Sequence, residues 1–536
     1  MNGPTDTSAL TTPRSHGQTL IRPELSRIPA ALKANRSALA RTDVKILTIP
    51  LAKIRDSCRT ELLDIALRYT KKLIPVKNQN RLKQTPLIVT GHQPQFFHCG
   101  VLAKYILANH LADQHHTTFL NLLVDSDLPK NLSLTLPVTT PEGFILEDIH
   151  FPLHDPLLPL ELQPLLNPDE LQQLLNLLNQ SNVPHFLKDR ITDIHSAIET
   201  AHPKANGLCD FLTLINHHFA AQIGLNWINL PVSKMADSNA FLTFAADLLS
   251  RGDNFHILYN DALNDFRTQH RIRNPAHPMP NLSHRPDQPD WLELPFWVFQ
   301  AGQHRCPLYI RSLPNRIFLS NGTDQSDPVS TNDDQIAGSL KAALAGKAWS
   351  LRPRAVTLSL FVRLYLADTF IHGLGGARYD QVTDKVLKNF YNLTPPAFAV
   401  ASATMHLPLA KLPPAQQLKD QLTVIRRQQR DMRHNPQRHL SDEETKQLSP
   451  LLEQRRREIE LSTQLRQNKS PSTLRRRPFE TIRRLNAQIY QSLPHRTDHL
   501  ERTYHDTHHQ HQQSRLTQNR EFYFALFAPQ QLKTLL

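Results

Sequence analysis

Residues 86–127 read PLIVTGHQPQFFHCGVLAKYILANHLADQHHTTFLNLLVDSD. Pro86 to Thr90 is a short apolar run rich in β-branched residues, the pattern of a buried strand. Gly91 to Gly100 is a loop or helix entry. Val101 to Ala112 has helical periodicity. Thr118 to Val124 is a second apolar run, and it ends on Asp125, Ser126 and Asp127. Strand, glycine turn, helix, strand and acidic tip make one βαβ unit of a parallel sheet, with a right-handed crossover. Ligands of such sheets bind outside the carboxyl ends of the strands. Both Gly91-His92 and Asp125/Asp127 fall there.

The first constellation is Thr90, Gly91, His92 and Gln93, with His98 and Lys104 close behind. A glycine after a strand lets backbone N–H groups approach a phosphate, and a helix N-terminus favours its charge. His92 and His98 are candidates to donate to phosphate oxygens or move a proton near neutrality. Lys104 lies about one turn into the helix, where it can neutralise an anion. The spacing is neither a Walker loop nor GxGxxG, and a tight turn with two surface histidines gives the same pattern. The second constellation is Asp125 and Asp127, suited to magnesium or to sugar hydroxyls, or alternatively to capping a helix.

The chain has only 15 glycines in 536 residues, so each cluster of them is informative. The third constellation, His372-Gly373-Leu374-Gly375-Gly376-Ala377-Arg378-Tyr379-Asp380, holds three of them. It reads as a loop between a buried helix, 357–372, and a new helix beginning at Tyr379. Such a loop can wrap an anion or a base edge; a close-packed helix junction also favours glycine. Glu293 to Trp297 sets a carboxylate in apolar surroundings. His505 and His509 share a helix face, but zinc wants a more defined ligand set.

Lys and Arg total 61 against 48 Asp and Glu, a formal charge of +13. That suits an anionic partner: a nucleotide, a nucleic acid or an acidic small molecule. Cys58, Cys99, Cys209 and Cys306 lie far apart with no CxxC pair, which argues against a zinc ribbon or a disulfide scaffold and for a reducing, cytoplasmic setting. Residues 1–20 read as a disordered tail without the apolar region of a signal peptide. The run 357–372 is shorter than the roughly 20 residues a membrane span needs.

Residues 21–405 form the core in this reading, with a helical insertion at about 150–225, a further strand at 226–232, a return to the core at 291–300 and a hairpin at 306–319. Residues 406–536 form a basic helical region; 411–536 alone carry +10 of the net charge. Helices at about 414–434 and 442–468, separated by Asn435-Pro436, read as an antiparallel coiled-coil arm, the second capped by Ser441 and Glu444. A third helix is expected from Pro478 past Arg515.

These motifs resemble the bacillithiol biosynthesis cysteine ligase (BshC) family. Thr90-Gly91-His92-Gln93 matches that family's TGQQ, with His92 in place of a glutamine. Lys104 matches its helix lysine, and Val124-Asp125-Ser126-Asp127 its EDHD-type motif. Leu351-Arg352-Pro353 matches an LRP motif, and Phe370 to Tyr379 a YVGGPGEIAY-like segment. The resemblance implies an α/β fold with a Rossmann-like parallel-sheet core and a C-terminal coiled-coil arm. It also implies ligase or transferase chemistry on a small molecule, with ATP or ADP as the cofactor and magnesium as a candidate ion. In that reading His92, Asp125, Asp127 and His372 are catalytic. Thr90, Gly91, Gln93, His98, Lys104, Gly373, Gly375, Gly376, Arg378, Tyr379 and Asp380 bind the cofactor. The coiled coil is a route to a homo-oligomer, and no membrane partner is expected. The competing reading is a non-catalytic protein whose basic arm binds nucleic acid or another protein.

Overall fold

Leu87, Ile88 and Val89 are fully buried. A strand covered on both faces needs such a continuous apolar run, since no side chain can turn to water. At roughly 1.5–3 kcal/mol per buried side chain, this run anchors the sheet. The strand Leu87–His92 pairs in parallel with Thr118–Leu123 on one side and with Thr369–His372 on the other. The helix Cys99–His115 makes the crossover between the first two, as the βαβ pattern requires. Full strand order is Thr19–Arg22, Ala399–Ala403, Thr369–His372, Leu87–His92, Thr118–Leu123, Ile228–Pro231. All pairings are parallel except that of the edge strand Thr19–Arg22.

The chain steps one way from Leu87–His92 to Thr118–Leu123 and Ile228–Pro231, and the other way from Thr369–His372 to Ala399–Ala403. The reversal lies between Leu87–His92 and Thr369–His372. That is the topological switch point, where open α/β sheets form a crevice.

This computed structural model describes residues 10–76, 85–129 and 132–535. It divides into two units: Met1–Val138, Glu147–Met405 and Arg520–Leu536 form one, and Thr139–Leu146 with His406–Asn519 the other. The first unit holds the parallel sheet and a second, antiparallel sheet, ordered Val329–Ser330, Arg316–Ser320, Cys306–Leu313, Leu292–Phe299, Ser350–Pro353. One apolar core runs through both sheets and the helices Leu51–Leu73, Asn239–Ser250 and Gly252–Gln269. Among the described residues no helix is long and apolar enough to cross a membrane.

Several expectations are corrected. The segment 357–372 is not one helix. Helical structure ends at Leu366, and Thr369–His372 is a strand. The cause is Asp368, fully buried, which pairs with Arg55 at 3.0 Å and Arg59 at 2.9 Å and accepts the Leu87 N–H at 2.8 Å. That lock turns the chain into the sheet. The glycine segment is not a loop either. Only Gly373 is extended; Gly375 and Gly376 lie in the first turn of the helix Leu374–Tyr391. Residues 1–9 of the expected tail lie outside the described residues, but Leu10 is buried, Thr404 Oγ1 donates to the Pro13 carbonyl, and Thr19 and Leu20 are strand. Residues 520–536 belong to the first unit, not to the basic helical region.

In the second unit the helices are Ala415–His434, Asp442–Gln447, Ser449–Gln467, Ser472–Gln491 and Pro494–Thr517. The expected pairing of 414–434 with 442–468 is replaced by two others: Ala415–His434 packs on Pro494–Thr517, and Ser449–Gln467 on Ser472–Gln491. The short turn after Gln467 makes the next helix the natural neighbour. Pro478 sits inside a helix rather than at its start, and the break falls before Pro494. The Ser441–Glu444 capping box forms as read.

Candidate functional site

At the switch point, a cavity of about 920 Å3 opens over the ends of Leu87–His92, Thr369–His372 and Ala399–Ala403. His92, His98, Lys104, Gly91, Asp127, His372, Gly373, Gly375, Gly376, Arg378, Tyr379 and Asp380 all line it. Segments some 280 residues apart in sequence thus meet because parallel pairing aligns their carboxyl ends.

The two glycine segments serve this cavity differently. A Cβ on Gly91 would lie 2.9 Å from Leu122 Cβ, so glycine is needed for two strands to approach closely. A Cβ on Gly375 meets nothing within 4 Å and would point into open space. Gly373 caps its helix with no side-chain hydrogen bond, which leaves first-turn N–H groups for a ligand.

Lys104 is 4% exposed, and its Nζ donates to the Gly91 carbonyl at 2.7 Å. Burial draws its pKa down to about 7. His92 Nδ1 lies 2.9 Å from the Gln93 carbonyl, an acceptor, so Nδ1 carries the proton and Nε2 accepts. Burial first, and Lys104 second, pull His92 down to about 3. With Nδ1 turned to the Gln93 carbonyl, His92 presents Nε2 to the cavity as an acceptor rather than a donor. His98 is taken up structurally. Its Nδ1 accepts the Gly100 N–H and caps the Cys99–His115 helix, while Nε2 lies 3.3 Å from Glu521.

His372 Nε2 lies 2.9 Å from Asp380, which also pairs with Arg363 at 2.6 Å. Burial alone would raise the Asp380 pKa, but Arg363 and His372 outweigh it and hold the carboxyl below its usual range. A histidine held at Nε2 by a fixed carboxylate, with Nδ1 toward Gly376, has the geometry of a general base and its orienter. Arg378 donates to the Leu10 carbonyl at 2.8 Å. Tyr379 packs edge-on to Phe266 and His277.

Three predicted residues are not in this cavity. Thr90 is buried and donates to the Ile371 carbonyl at 2.7 Å, a tie within the sheet. Gln93 donates to Asp127 at 2.6 Å and faces a void of only about 10 Å3. Asp125 points into a separate cavity, where both its oxygens accept from Ser233. Asp127 lines the large cavity, but its oxygens are held by Gln93, the Leu128 N–H and Arg305 at 2.9 Å.

Sequence reasoning missed the far wall. Trp297 from the antiparallel sheet lies 3.9 Å from the Arg354 guanidinium and 4.6 Å from that of Arg305. Glu293 is a partnered carboxylate, 2.7 Å from Arg354 and accepting from Ser283. Arg520, from the C-terminal segment, donates to the Ala403 carbonyl at 2.8 Å. Arg354 directly follows the Leu351–Pro353 motif and was findable from it; nothing local marks Arg305 or Arg520. The cavity thus holds Lys104, Arg305, Arg354, Arg378 and Arg520 against Asp127, Asp380 and Glu521, an excess of positive charge.

No described group of three or more His, Cys, Asp or Glu side chains could hold a metal ion, His505 and His509 included. Any magnesium at this edge would have to draw most of its ligands from bound phosphate and water.

A scan against protein-family models finds no match to this chain, and a search of curated proteins finds no relative.

Proposed function

We propose that the chain is a ligase- or transferase-type enzyme, BshC-like, with a Rossmann-like core that takes a nucleotide-type ligand such as ATP or ADP in the switch-point cavity. The observation that carries this reading is the cationic lining of that cavity beside an uncapped helix turn. Phosphates suit the N–H groups of Gly375 and Gly376, with Lys104 and Arg378 as counter-charges. A bound nucleotide would supply activation of a carboxyl group. The chain's own part is then to orient the acceptor and to take its proton at His372 Nδ1, with Asp380 holding the ring. Joining an amino acid such as cysteine to an acceptor rests on the resemblance.

A second reading has an observation of its own. The helix Ser472–Gln491 exposes Arg475, Arg477, Arg483 and Arg484 beside Phe479, which is 64% exposed. That surface fits a non-catalytic protein that binds nucleic acid or another protein.

Titration calorimetry of the full chain with ADP separates the two. The enzyme reading expects saturable binding that is lost in Gly375→Val. Absence of ADP and ATP binding, together with salt-dependent binding of RNA or DNA, overturns it in favour of the second.

A further inference from the structure

A second cavity, of about 730 Å3, lies at the same sheet edge over Thr118–Leu123 and Ile228–Pro231. Two short segments partition their side chains between the cavities. Asp125 faces the second and Ser126 and Asp127 the first; Arg352 faces the second and Pro353 and Arg354 the first. The second cavity is a built site: Asp125, Arg352 and Gln163 are each about 3% exposed.

Its charges divide into three sets. Arg352 is satisfied, held by Glu161 and Asp237 at 2.8 Å each. Arg68 and Lys72, one turn apart on the helix Leu51–Leu73, and Lys234, all three exposed, have no carboxylate partner among the described residues. Asp125 and Asp210 form no ion pair: the first accepts from Ser233 and feels Arg352 only through space, the second accepts from Tyr69 at 2.7 Å and from Asn206. Three cations and two acids without an ion pair in one cavity form a complementary pair of half-sites.

We infer that this cavity is a second ligand site, for a small zwitterion whose carboxylate or phosphate meets Arg68, Lys72 and Lys234 and whose ammonium meets Asp125 and Asp210. A neutral or purely anionic molecule would leave one half-site uncompensated, and a buried carboxylate gains most from an opposite charge. The inference stands independently of the nucleotide reading. Burial and then Glu161 push Asp125 up to about 7, with Ser233 and Arg352 opposing, so at neutral pH it carries part of a proton. An arriving ammonium displaces that proton into solution. The adjoining Cys209 and Tyr69 are driven up by burial and hold their protons, so they add nothing to the release.

The test is titration calorimetry of the full chain with L-serine and with O-phosphoethanolamine, which distinguish carboxylate from phosphate, and with ethanolamine and inorganic phosphate as controls carrying one sign of charge only. At least one zwitterion should bind about tenfold more tightly than both controls. Its binding at pH 7 should release protons, seen as a heat that changes with the buffer's ionisation enthalpy. Arg68→Glu/Lys72→Glu, on the exposed rim, should weaken it about tenfold or more. Asp125→Asn should abolish the proton release. ADP affinity should be unchanged in the rim variant. The inference is overturned if neither zwitterion binds at millimolar concentration, if either control binds as tightly, or if the rim variant binds as well as the parent.

Discussion

The two cavities share a sheet edge and two wall segments yet differ in character. The first is lined by excess cations, a tryptophan and bare helix N–H groups; the second by acids and bases, some paired and some not. Side-chain direction makes the difference. The strand ends at Leu123 and the chain bends at Ser126 and Asp127, so Asp125 and Asp127 of one short motif serve different spaces. A motif read as a unit in sequence is split by the backbone. The nucleotide and the zwitterion are thus assigned to neighbouring compartments, and perturbations should separate them.

Removing what both cavities share should have the largest effect. Asp368 locks the start of the Leu87–His92 strand through Arg55, Arg59 and the Leu87 N–H. Asp368→Ala leaves a buried guanidinium uncompensated, at a cost of about 3–5 kcal/mol. Thermal unfolding should show a large drop, and binding in both cavities should fail together.

Two glycines sharpen the contrast between frame and site. Gly375→Val should leave the melting temperature near the parent's while removing ADP binding, because the new side chain enters open cavity. Gly91→Ala should do the reverse. Its Cβ presses on Leu122, at a cost of about 1–3 kcal/mol, with ADP binding retained in the folded fraction. Equal melting temperatures for the two variants would contradict the assignment.

Lys104 distinguishes the first cavity by pH. Its folded pKa is about 7 against an ordinary 10.5. Between those values the unfolded chain holds more protons, so this group makes stability rise with pH across that window. Lys104→Met removes the slope. The variant should gain on the order of 2 kcal/mol below pH 7, with the lost Gly91 hydrogen bond offsetting part, and the gain should fade as pH rises toward 10. Melting curves at several pH values check this; a gain that grows with pH would refute it.

The smallest effect concerns His92. As a neutral acceptor it should be replaced better by glutamine than by alanine, so ADP affinity should fall less in His92→Gln than in His92→Ala. A preference for His92→Ala, or an ADP affinity that rises as pH falls from 7 to 5 only when His92 is present, would show a protonated donor instead.

The βαβ unit was legible because a doubly buried strand has no choice but an unbroken apolar run, and Leu87–Val89 supplies one. The candidate site was legible where polar residues and glycines close an apolar strand: Gly91 and His92 at the end of one, His372 and Gly373 at the end of the other. It was illegible where long-range contacts decided the outcome. Asp368 ends a helix that its own neighbours would continue, because Arg55 and Arg59 approach from 300 residues away. Arg305, Arg520 and Trp297 reach the cavity from the second sheet and from the C-terminal segment, and no local spacing announces them. In the basic region the capping box at Ser441 was local and was read directly. Which helix packs on which depended on turn lengths around Asn468 and Leu493, which charge patterning does not encode.

The most direct measurement is diffraction from crystals of the full chain soaked with ADP. The account predicts phosphate density within hydrogen-bond distance of the Gly375 and Gly376 N–H groups and of Lys104 Nζ, with the rest of the nucleotide in the same cavity. ADP ordered beside Asp125 or on the helix Ser472–Gln491, or no ADP in the switch-point cavity at saturating concentration, would contradict it.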